Sequence, residues 1–146
     1  MVFLCPIRLN SKIGKLEILV LNEGETTDII CGHLRRGESG PDALKRVIDK
    51  VGLADSNAKE EIFSGYLYDP RQTDNAWVDA KAYLMFFNES DVEVNSDQVY
   101  WRILDDKFIN GLHPSYSGFV RKAIQDLYDR EVLTEQFVID ILEKTG

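Results

Sequence analysis

From Pro41 to Val51 the chain places Ala43, Leu44, Val47, Ile48 and Val51 at i, i+1, i+4, i+5 and i+8, one apolar stripe on the helical period. Ser39 sits where a cap is wanted, Pro41 suits the first turn, and Gly52 falls just past the end. Strand-like runs precede and follow this helix. That interleaving restricts the fold, because a helix with one apolar stripe needs a sheet or a second helix to cover it.

VFLCPIRL (2 to 9) and KLEILVLN (15 to 22) have strand-like lengths and composition, and Asn10, Ser11 and Gly14 between them suit a hairpin turn. NEGE (22 to 25) is expected to be a loop and TDIICG (27 to 32) one short strand ending in glycine. EEIFSGYLY (60 to 68) and WVDAKAYLMFF (77 to 87) are aromatic-rich strands flanking a polar loop, and QVYWRIL (98 to 104) is another strand. SGFVRKAIQDLYDRE (117 to 131) aligns Phe119, Val120, Ala123, Ile124 and Leu127 on one helical face, and TEQFVIDILEKTG (134 to 146) repeats the pattern. The expectation is a single α/β domain over residues 1–146, a mixed sheet with helices on both faces. A chain of this length buries roughly 68–70% of its unfolded surface without staples.

Cys5 and Cys31 have neither disulfide-framework nor zinc spacing. Both are expected as small buried apolar residues in a reducing, cytoplasmic setting. The apolar start MVFLCPIRLN lacks a basic n-region and is interrupted by Pro6 and Arg8, and no run approaches membrane-spanning length. The net charge of −8 argues against nucleic-acid backbone binding, which needs many lysines and arginines. A small anion needs only a local basic pocket. Arg35, Arg36, Lys45, Arg46 and Lys50 concentrate charge in that way, although charge alone also fits a solvated helix face.

The segment from Gly32 to Leu53 resembles the Nudix hydrolase box, G-x5-E-x7-R-E-U-x-E-E-x-G-U with U aliphatic. Gly32, Glu38 and Arg46 match its first half, and LRRGE (34 to 38) looks like the loop that enters a Nudix helix. The second half departs from it: the three glutamate positions hold Val47, Lys50 and Val51, and Ile48 alone survives between them. Glutamates at i, i+3 and i+4 would share a helix face and present carboxylates to magnesium or manganese, which neutralise a pyrophosphate and activate water. Valines have no such donor, and Lys50 opposes a cation. Gly52-Leu53 arrives one residue early, and a matching slip would put Asp49 in a ligand position. Glu38, Glu60 and Glu61 are the other weak catalytic candidates.

A second stretch, GYLYDPRQTDNAWVDAKA (65 to 82), resembles one found in the mitochondrial-type ADP-ribose pyrophosphatase and in the ADP-ribose-sensing Nudix-like domain of melastatin-type TRP channels, close to GY-x-DDPRNTDNAW. The likeness spans roughly residues 16 to 128. It implies an α/β/α Nudix-type sandwich with a degenerate box at about 32–53, a ligand loop at 69–77 and C-terminal helices at about 115–145. The chemistry of the loop agrees: Arg71 offers a planar donor fork for phosphate or ribose oxygens, or for a loop salt bridge. Asp69 and Asp74 can accept from ribose hydroxyls, and Thr73 and Asn75 suit turn-shaping bonds. Trp77 stacks on a ligand or anchors its strand. LHPSYSGF (112 to 119) resembles the family's L-Y-A-S-H-S-Q-F with the tyrosine and histidine exchanged, which implies His113 and Tyr116 beside the nucleotide.

The leading expectation is a domain that binds ADP-ribose or a related ADP-ribosyl nucleotide without efficiently cutting it, as a sensor or binder. Its expected ligand residues are Gly32, Arg36, Lys50, Asp69, Arg71, Asp74, Asn75, His113 and Tyr116. No cofactor is expected, and no nucleic-acid or membrane partner; a homodimer or an effector protein fits. The alternative is a metal-dependent ADP-ribose pyrophosphatase that yields AMP and ribose 5-phosphate through non-standard carboxylates, with magnesium or manganese.

Overall fold

The computed structural model describes residues 1–10, 12–23, 26–53, 59–68, 77–87, 94 and 97–130. The expected hairpin is present: β1 (Val2–Asn10) and β2 (Lys15–Glu23) pair antiparallel, with Ile7 opposite Ile18 and Arg8 opposite Glu17. On its other edge β1 runs parallel to β6 (Trp77–Phe87), and β6 pairs antiparallel with β5 (Lys59–Tyr68). β7 (Val99–Ile103) joins the outer edge of β2. Parallel and antiparallel pairs in one sheet make it mixed, as expected from the alternation of elements.

TDIICG is not one strand. It divides at Ile29 into β3 (Thr26–Asp28), which pairs with β2, and β4 (Ile30–Gly32), which pairs with β1. β2 also continues to Glu23, inside the expected loop, because Thr26 lies opposite it. The cause is a fork: β4 takes Val2–Leu4 of β1 while β2 takes Ile7–Asn10, leaving Cys5 and Pro6 between the two partners. Proline has no N–H to give a ladder, so the changeover is where a central strand tolerates it. At the break, the Ile29 N–H donates to Asp28 Oδ1 at 3.0 Å.

The sheet has a core on each face. α1 (Gly40–Val51) covers one face, packing Ala43, Leu44, Val47, Ile48 and Val51 against Leu4, Leu19 and Met85. Full burial contributes about 1.5–3 kcal/mol for each large aliphatic side chain. Ser39 Oγ accepts from Asp42 N–H, and Gly52 at φ 76° ends the helix in the left-handed conformation that its sequence position predicts.

On the other face α3 (Pro114–Asp129) packs Phe119 against Phe3 and Phe63, with ring centroids 4.9 and 5.2 Å apart. This helix starts earlier than the expected Ser117, because Pro114 occupies its first turn and His113 caps it. A short α2 (Asp106–Gly111), capped by Asp105, follows β7 in a stretch for which no element is expected from the sequence. The expected helix at 134–146 and the ligand loop from Asp69 to Ala76 lie outside the described residues. Among the described residues no helix is long and apolar enough to cross a membrane.

Candidate functional site

Three segments singled out by the sequence approach one end of the sheet, the start of β1. Gly32 leaves β4 opposite Val2, Lys81 in the first half of β6 also lies opposite Val2, and the Tyr116 ring lies 5.8 Å from Phe3. They arrive on different faces. Tyr116 belongs to the core beneath α3, whereas Gly32 faces α1.

The loop between β4 and α1 is fastened by one ion pair. Arg46 Nε donates to Glu38 Oε2 at 3.1 Å and its Nη2 to Oε1 at 3.0 Å, a bidentate fork that also reaches the His33 carbonyl. Glu38 Oε1 accepts the Arg35 N–H at 2.9 Å, and the Glu38 N–H returns to the Arg35 carbonyl at 2.9 Å. Gly37, at φ 78°, lets this turn close. The Arg46 side chain, with the Arg35 N–H second, holds the Glu38 carboxyl down at about 2, and the same bond raises Arg46. Glu38 is therefore committed to the loop rather than to a metal.

Beyond this anchor, α1 presses on β4. A Cβ placed at Gly32 would meet Val47 Cγ2 at 2.5 Å, so the glycine is required for the helix to sit this close. A depression of about 350 Å³ opens beside the contact, lined by His33, Leu34, Arg35, Arg46 and Lys50 with Gly32 and Val47 at its floor. A smaller one of about 180 Å³ continues toward Leu21, Ile30, Val51 and Gln98. Cys31, Val47 and Lys50 border both, so the two form one groove with a basic half and a mainly apolar half.

The magnesium or manganese that the box resemblance implies does not fit these residues. Val47 and Val51 are 3% and 4% exposed and packed, Lys50 opens on the groove, and none of the three offers a donor for magnesium. Asp49 stands on the exposed side of α1 and lines neither depression. The early Gly52 does not bring it round, because a residue two places from Val47 and Val51 points nearly the opposite way on a helix. Glu60 and Glu61 do not act as a pair either. Glu60 lies opposite Leu84 and Glu61 opposite Tyr83, on opposite faces of the sheet. Glu60 reaches Arg130 at 3.6 Å and Glu61 reaches Lys81 at 3.5 Å.

The other candidates divide between groove and core. Gly32 and Lys50 border the groove; Arg36 is exposed but does not line it, and its neighbour Arg35 does. Tyr116, 3% exposed, packs on Phe3 and lies 5.8 Å from the His113 ring. His113 caps α3, its Nδ1 accepting from Ser115 N–H at 3.2 Å. Asp69, Arg71, Asp74 and Asn75 fall outside the described residues, as does the Trp77 side chain. Sequence reasoning missed Cys31 as a groove residue. The two thiols are not equivalent: burial pushes Cys5 up to about 12, while Cys31 is half-buried at the groove.

No family model matches the sequence. The structure, however, is similar to a Nudix hydrolase from Listeria monocytogenes at a TM-score of 0.68 and 12% identity, over 89% of this chain and 94% of that one. The fold is that of the Nudix hydrolases. The Nudix domain of Shewanella oneidensis NrtR, solved with ADP ribose, is similar at 0.65 and 14% identity, over 86% of each chain. The C. elegans Ap4A hydrolase is similar at 0.59 and 20% identity, over 86% of this chain and 96% of that one. At these identities the likeness is one of architecture, and in this chain that architecture carries a basic groove beside α1.

Proposed function

We propose that this chain is a Nudix-type domain that binds ADP-ribose, or a related ADP-ribosyl nucleotide, in the groove between α1 and β4 and does not efficiently hydrolyse it. The observation that carries the reading is the helix face at the groove. The box positions that should bear glutamates bear Val47, Lys50 and Val51, two of them packed and the third a cation. Without carboxylates there, divalent cations have no donor set from which to activate water. The ligand class rests on the run Asp69 to Trp77 and its resemblance to the ADP-ribose-specific branch, on the basic lining of the groove, and on the ADP-ribose complex of a structurally similar domain.

Calorimetric titration with ADP-ribose, followed by chromatography of the same sample after incubation with excess magnesium or manganese, tests this. Saturable binding with the nucleotide recovered intact is expected. Release of AMP and ribose 5-phosphate would make the chain a hydrolase with non-standard ligands instead, and absence of binding would remove the ligand assignment.

A further inference from the structure

The groove's charge is distributed unevenly, and this narrows the chemistry of what enters it. Its larger half is lined by His33, Arg35, Arg46 and Lys50 and, among the described residues, by no carboxylate, in a chain of net charge −8. Glu38 of the adjoining loop is consumed by Arg46, and the two charges cancel. Arg35 and Lys50 remain: the Arg35 charge is felt by Glu38 only as the weakest of that carboxylate's interactions, and Lys50 has no acidic partner among the described residues. Lys50 stands at the junction with the smaller half, where Leu21, Ile30 and Val51 leave mostly apolar walls. An anion flanked by a less polar group matches this sequence of surfaces.

Resting on the binding function above, we propose that Arg35 and Lys50 hold the internal diphosphate of the nucleotide directly, so that the groove takes a metal-free dianion and magnesium competes with binding. Each linking phosphate of a diphosphodiester carries one negative charge, and the groove sets the two cations Arg35 and Lys50 against that pair. Nucleoside triphosphates carry more charge and travel as magnesium complexes, which bring a cation toward Lys50. They are disfavoured on both counts. Val47, seated over Gly32, further denies a hydrated metal the floor of the groove, since its methyl group occupies the space above the glycine.

The test is titration of ADP-ribose, ADP and ATP in EDTA and in millimolar magnesium, with the native chain, Lys50→Ala, Lys50→Arg and Arg35→Ala. ADP-ribose is expected to bind in EDTA and more weakly in millimolar magnesium, ahead of ATP in either buffer, and an affinity unchanged or raised by magnesium would overturn the competition. Lys50→Ala and Arg35→Ala should each weaken it by about tenfold or more, the scale of a lost charge-assisted hydrogen bond, and Lys50→Arg should recover most of the loss. Raised salt should weaken native binding, and Lys50→Ala less so. Both side chains are exposed, so unchanged unfolding midpoints will show that folding is intact. Native binding that needs magnesium, or that survives both alanine variants unaltered, overturns the direct clamp while leaving nucleotide binding standing. No ADP-ribose binding by the native chain in any buffer overturns both.

Discussion

Along the loop from His33 to Glu38 and the first turns of α1, polar groups fasten the chain to itself. Glu38 is gripped by Arg46 and by the Arg35 N–H, and Ser39 caps Asp42. In the last turns of the same helix the polar groups face outward: Asp49 and Lys50 are exposed while Val47 and Val51 are packed. One half builds the shape of a pocket, and on the proposed reading the other half supplies what the pocket does to its contents. The contrast teaches that the two are physically separable. An ion pair and a cap hold the loop whatever stands at positions 47, 50 and 51, provided those side chains fit against β4.

The largest effect is expected where the two halves touch. Gly32→Ala should destabilise by about 1–3 kcal/mol, the scale of overpacking in a filled core, because its Cβ runs into Val47 Cγ2. Urea unfolding of Gly32→Ala, Val47→Ala and the double variant should give a double variant more stable than the sum of the singles. Simple additivity would show that the contact does not set the helix position. Next in size, Ser39→Ala removes the cap and should cost about 1 kcal/mol, read in the same assay. Because the loop enters the groove, hydrogen exchange at 33–39 should rise with it, and exchange confined to α1 would uncouple cap from loop.

How far the sequence foretold this arrangement depends on the length of each pattern. α1 was legible because its five apolar positions, N-cap and terminal glycine agree. The fork was not: three-residue strands have no measurable period, and the only hint was Pro6 inside a central strand. Tyr116, Phe119, Val120 and Ala123 stand at i, i+3, i+4 and i+7, so the core role of Tyr116 was present in the period. Starting the helix at Ser117 hid it. Arg35 and Arg36 are chemically identical neighbours, and the turn that Gly37 permits decides which borders the groove. Lys50, by contrast, was legible from its offset within the box.

A smaller effect at neutral pH is expected from Glu38→Gln, and acid sharpens it. The folded carboxyl titrates at about 2, below the ordinary glutamate range. Its bridge is therefore fully stabilising above that range, and the contribution is lost as pH falls toward about 2. The native chain should lose thermal stability across this window more steeply than Glu38→Gln. Parallel melting-temperature curves for the two would mean that the Arg46 fork does not anchor the loop.

The smallest effect belongs to Asp49, and it bears most directly on the contrast between the halves. If the early Gly52 had turned a carboxylate toward the groove, Asp49→Asn would abolish any metal-dependent behaviour and change nucleotide affinity. On an exposed helix side away from both depressions, it should change stability by no more than about 0.5 kcal/mol and leave ADP-ribose titrations superimposable on the native ones. A clear loss of nucleotide affinity in Asp49→Asn would put a carboxylate back into the working half of the helix. The separation of shape from chemistry within this segment would then fail at the one acidic residue its last turns retain.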